Sequence, residues 1–112
     1  MMRAIALSLM MVVLMVPAAF AHAPSNVDVS LTDDGKAQVI VTHSVGDPRQ
    51  HYIYKIEVSV NGEMFTEREY TGQVGNQQLD SFKIPGLKKD DRIEAHAYCN
   101  KGGDRKGEMI VE

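Results

Sequence analysis

The sequence has no tryptophan and only one cysteine, Cys99. A single cysteine excludes an internal disulfide, the usual staple of small exported domains. There is no CxxC, HExxH or HxH pair, so no compact metal or metalloprotease motif is present. No catalytic triad, carboxylate pair or phosphate-binding glycine loop stands out, and Gly102-Gly103 reads as a hairpin turn. A formal net charge of −3 points neither to nucleic acid nor to an anionic membrane. Repeats, low-complexity tracts and linkers are absent after Pro24, and 112 residues suffice for one domain.

The only long apolar run lies at the start. Arg3 supplies a short positive region, Ala4–Val16 is rich in Leu, Met and Val, and Pro17 breaks the run. Ala19-Phe20-Ala21 then has the small-x-small pattern of a secretory cleavage site. The run is short and lightly flanked for a membrane span, so an uncleaved anchor is the weaker alternative. Residues 1–21 are therefore expected to be a signal peptide and 22–112 the folded domain, periplasmic or secreted. A cut after Ala21 leaves His22-Ala23-Pro24-Ser25 at the new N-terminus.

From Pro24 onward the chain is a series of short alternating segments separated by turn residues, the pattern of an all-β protein. Strands are expected near Asn26–Thr32, Lys36–His43, His51–Val60, Glu63–Glu69, Gln78–Ile84, Asp91–Cys99 and Arg105–Val111. Asp34-Gly35 and Asn61-Gly62 supply hairpin turns. About seven strands over this length predict an immunoglobulin-like β-sandwich.

Alternate strand residues face opposite sides of a sheet. Ala37, Val39, Val41 and His43 therefore share an inward row, as do Ile93, Ala95, Ala97 and Cys99. Tyr52, Tyr54, Ile56, Val58 and Val60 are expected to form a third, with His51 at the strand mouth on the opposite side. His96 points outward and reads as a surface residue. Successive strands alternate between the two ends of a sandwich. His22 precedes the first strand, His43 ends the second, His51 begins the third and Cys99 ends the sixth, so all four fall at one pole. Singly, each histidine reads as a polar strand-end residue and Cys99 as a small buried hydrophobe. Together they form a candidate metal site, because imidazole nitrogen and thiolate suit iron, copper and zinc.

The segments His22-Ala23-Pro24, His51-Tyr52-Ile53 leading into Ile56-Glu57-Val58, and Ala97-Tyr98-Cys99-Asn100 resemble the iron-binding domain of the desulfoferrodoxin and neelaredoxin superoxide reductases. The resemblance spans the whole chain after the leader and implies an immunoglobulin-like sandwich. It also implies one ferrous ion held by histidines in a plane, with an axial cysteine thiolate opposite an open position. Superoxide would be reduced there to hydrogen peroxide with an electron from a separate donor. On this resemblance His22 and His51 match planar ligands and Cys99 the axial one.

The chain departs from the family pattern at three places. Gly102 stands where the family has a histidine after its C-N pair. His43 lies two residues further from His51 than the family's second histidine, whose place Val45 takes. The family lysine before the H-x-P is absent, and Lys101 beside Cys99 is the substitute cation at hand. With one planar donor missing, copper or zinc competes with iron. The readings that remain open are a divergent exported superoxide reductase, a metal-free immunoglobulin-like binding module, and a periplasmic copper or sulfur carrier using His22 and Cys99.

Overall fold

The computed structural model describes residues 22–112. The signal peptide expected over Met1–Ala21 lies outside the described residues. Alternating apolar residues build seven strands: β1 Asn26–Leu31, β2 Lys36–Thr42, β3 Ile53–Val60, β4 Glu63–Glu69, β5 Gln77–Lys83, β6 Arg92–Cys99 and β7 Asp104–Ile110. They form two antiparallel sheets, one ordered β1-β2-β5 and the other β4-β3-β6-β7. The architecture is the expected all-β sandwich. No helix among the described residues is long and apolar enough to cross a membrane.

The inward rows of the two sheets meet as the core. Val27 and Val29 of β1, Val39 and Val41 of β2 and Phe82 of β5 face Ile56 and Val58 of β3 and Ile93, Ala95 and Ala97 of β6. Each of these Val, Ile and Phe side chains contributes about 1.5–3 kcal/mol of burial, which makes this row-on-row contact the main stabilising term.

One expected row differs in the structure. The pairing of β3 with β6 runs Ile53↔Cys99 and then Lys55↔Tyr98, so Tyr54 is an extra residue with no partner. This β-bulge reverses the alternation at the start of β3. Ile53 is fully buried, whereas Tyr52 and Tyr54 are only half-buried. His51 shares the parity of Ile53 and so faces inward, not to the opposite side as unbroken alternation predicts.

Two glycines let the layers pinch together near the same pole. A Cβ on Gly103 would lie 2.6 Å from the Ala23 nitrogen and 2.7 Å from the His22 carbonyl carbon. Gly103 also has φ +89°, a conformation that L side chains avoid. Gly107, within β7, leaves no room for a methyl group beside Val27 of β1.

Candidate metal centre

Four separate segments deliver the candidate residues. The His22 arm is pinned by Pro24, whose side chain is buried and whose carbonyl accepts a hydrogen bond from Arg105 Nε at 2.6 Å. Ser25 N–H then donates to the Thr42 carbonyl at 2.9 Å, docking the arm against the end of β2. His43 continues the inward row of β2 one residue past the strand and is buried. Its backbone N–H donates to the Asn76 carbonyl at 2.8 Å.

His51 closes a turn in which its N–H donates to the Asp47 carbonyl at 2.9 Å. Asn100 grips the chain on either side of it. Its Oδ1 accepts from Tyr52 N–H at 3.0 Å, and its Nδ2 donates to the Gln50 carbonyl at 3.0 Å. The asparagine after Cys99 therefore ties the cysteine turn to the histidine turn.

The imidazoles of His22, His43 and His51 converge. Ring centroids are 4.9 Å apart for His22–His43, 4.9 Å for His22–His51 and 4.8 Å for His43–His51. One nitrogen from each lies within 4.8 Å of the others, an arrangement able to hold a metal ion. Cys99 joins from the side of His51, with Sγ 3.1 Å from His51 Nε2. The sulfur also accepts a hydrogen bond from Lys101 N–H at 3.3 Å. A cleft of about 520 Å³ beside the thiol is lined by Tyr52, Tyr54, Tyr70, Cys99, Asn100 and Gly102.

One atom in this cluster has no hydrogen-bond partner among the described residues. His43 Nε2 is buried and makes no hydrogen bond, an arrangement that costs about 1–3 kcal/mol in a folded protein. The donor set is nitrogen and sulfur, which excludes magnesium and calcium as natural occupants and suits iron, copper or zinc. Gly102, with φ +105°, supplies no side-chain donor. His96 lies on the outer face of its sheet, as alternation predicts, with Nε2 2.5 Å from Asp104 Oδ2 and Nδ1 2.9 Å from the Tyr98 hydroxyl.

Burial holds the pKa of His43 below its ordinary 6.5, with the neighbouring His22 ring acting in the same direction and the ring's bond to Gln73 and the nearby His22 backbone acting in the opposite one. Burial lowers His51 as well, with the neighbouring His43, His22 and Lys101 acting in the same direction. A depressed folded-state pKa means that the unfolded chain binds more protons. The associated stability is complete above 6.5 and is lost as pH falls through the lowered values. Calorimetry of the metal-free protein should therefore show Tm falling as pH drops from about 7.5 to about 5, before most carboxylates titrate. A flat profile over that interval would contradict the buried, neutral state of these imidazoles.

Neither Gln73 nor Gln78 stands out as functional in the sequence, yet both are buried beside the cluster. The only available signal was Gln78 on the inward parity of β5, a polar residue in a row ending at Phe82 and Ile84. For Gln73, in a loop, there was none.

Comparison with known proteins yields structural matches only. No family model and no curated protein matches. A superoxide reductase in its oxidised state is 17% identical, with 86% of this chain covering 100% of that one at a TM-score of 0.52. Superoxide reductase (neelaredoxin) from Ignicoccus hospitalis is 25% identical over 81% of each chain, at 0.47. That from Archaeoglobus fulgidus in the reduced form is 22% identical over 81% of this chain and 89% of the other, at 0.46. The match above 0.5 shows a shared fold. Added to the sequence motifs His22-Ala23-Pro24, His51-Tyr52-Ile53 and Cys99-Asn100, it leads to one conclusion: the chain is a divergent protein that resembles the superoxide reductases and neelaredoxins.

Proposed function

We propose that this domain binds one redox-active metal ion through His22, His43, His51 and Cys99 and acts as an exported superoxide reductase. The observation that carries the reading is the buried, partnerless Nε2 of His43 within a three-imidazole cluster beside the Cys99 thiol. A lone pair held dry and unsatisfied is costly unless something occupies it. Ferrous iron, the ion implied by the resemblance, would supply the single electron that reduces superoxide, and an external donor of unidentified kind would restore it.

The chain's own residues have distinct tasks in this scheme. His43 and His51 present neutral imidazoles to the centre. The Lys101 backbone N–H steadies the Cys99 thiolate, and its ammonium adds positive charge near His51 that attracts a small anion. His22 is exposed and leaves its side of the cluster open to solvent, from which the two protons of hydrogen peroxide would come. Removal of residues 1–21 would leave His22 with a free α-amine, an additional nitrogen donor in a site where Gly102 offers none. That same gap makes copper or zinc a competing occupant.

The test is anaerobic purification of the exported protein with elemental analysis, N-terminal mass measurement and absorption spectroscopy. The expected result is one metal per chain, an N-terminal His22, and a thiolate-to-metal absorption band that disappears in Cys99→Ser. Absence of bound metal after loading with iron, copper and zinc would overturn the proposal and favour a metal-free binding module.

A further inference from the structure

We infer that Gln73 is a positioning residue that fixes the tautomer of His43 and, with Gln78, the approach of His51. The pattern of donors and acceptors around the Gln73 amide, which has four partners, determines its orientation. Its Nε2 lies 2.7 Å from the His43 carbonyl and 3.0 Å from the Gly75 carbonyl, and both of these can only accept. Its Oε1 lies 3.0 Å from the Ile53 backbone N–H, which can only donate. The oxygen therefore points toward Ile53 and the nitrogen toward the carbonyls. Oε1 also lies 3.0 Å from His43 Nδ1. An amide oxygen cannot donate, so His43 Nδ1 carries the proton. In a neutral imidazole the lone pair is then on Nε2, the buried atom without a hydrogen-bond partner among the described residues.

Gln78 completes the arrangement. Its Nε2 donates to the Ile53 carbonyl at 2.9 Å and to the Gly72 carbonyl at 2.7 Å. Between them the two glutamines hold both the N–H and the C=O of Ile53. Ile53 is paired with Cys99 and stands two residues after His51, at the bulge that turns His51 inward. A single loop-and-strand unit, Gly72–Gln78, thus sets His43 from one sheet and the His51 segment from the other.

This inference rests on the proposed metal centre for its consequence but not for its test. Nitrogen-15 shifts of the His43 ring in metal-free wild-type protein report the tautomer directly, and a pure Nδ1–H form is expected. In Gln73→Leu that preference should be lost and metal affinity should fall about 10–100-fold, the usual cost of losing a ligand's outer partner. Gln73→Glu retains an acceptor for Nδ1–H. It should keep the tautomer and move the absorption band or the midpoint potential, which a purely structural residue would not do, while its second oxygen, set against the His43 and Gly75 carbonyls, lowers stability. An Nε2–H tautomer in the wild type overturns the inference, as does unchanged tautomer and affinity in Gln73→Leu. If Gln73→Leu does not fold, the wild-type tautomer and Gln73→Glu decide alone. Failure of the wild type to bind metal with the Nδ1–H form intact would count against the proposed function instead.

Discussion

Gly107→Ala should lower Tm by about 10–20 °C, corresponding to a loss of about 2–3 kcal/mol in a domain of this size. Propensity argues the other way, because glycine inside an element costs roughly 0.5–1 kcal/mol relative to alanine. Position decides the sign. A Cβ at Gly107 would lie 2.1 Å from the Val27 carbonyl oxygen, 2.8 Å from its carbon and 3.0 Å from the Val27 Cβ. Two of these are backbone atoms, so no rotamer change relieves the clash. Either β7 must move off β1 or β1 must move off β2. Val27 pairs with Val41, two residues before His43, and lies five residues after His22. Displacement of β1 therefore also pulls on the His22 arm. Thermal unfolding followed by circular dichroism measures the first effect, and metal affinity the second. A Tm within a few degrees of wild type would show that the two sheets are not wedged together at this point.

The fold was largely legible because its signal is local. Strict alternation in Lys36–Thr42 and Arg92–Cys99 specifies both strand and inward face, and the inward rows lead directly to His43 and Cys99. Those two residues of the candidate site followed from parity alone. The orientation of His51 did not, because the bulge at Tyr54 shifts parity by one and no residue type marks it. Continued alternation through Tyr54 gave a plausible apolar row of Tyr52, Tyr54 and Ile56, and only the pairing with Cys99 shows that Ile53 is the buried member. Gln73 was invisible for a different reason. Its partners, His43 and Ile53, lie 30 and 20 residues away, and a glutamine in a polar loop has no pattern to violate. The lengthened connection between His43 and His51 shows the converse. His43 is out of step with the family spacing, yet its ring lies 4.8 Å from that of His51. Both histidines sit at strand mouths fixed by sheet registry, so the turn between them tolerates a change in length.

His43→Leu should abolish tight metal binding while leaving the metal-free domain as stable as wild type, or more stable by about 1 kcal/mol. The two halves of this outcome come from different atoms. Loss of Nε2 removes a donor from the cluster, so the effect on affinity should exceed the roughly 100-fold upper range seen for outer partners of a ligand. Loss of the same atom also removes a buried polar group without a partner, which costs about 1–3 kcal/mol in the metal-free state. Against this gain stands the bond from Nδ1–H to Gln73 Oε1, worth about 1 kcal/mol. That oxygen keeps its bond from Ile53 N–H, and the Gln73 amide nitrogen keeps both carbonyl partners, so no second orphan is created. Leucine fills much of the vacated space at the end of an already apolar row, which limits any cavity term. Thermal unfolding with chelator present, paired with metal titration by calorimetry, separates the two effects. Destabilisation by several kcal/mol would mean that the imidazole is structural. Retained stability with lost binding would mean that the fold tolerates a destabilising histidine at this position because the centre requires it.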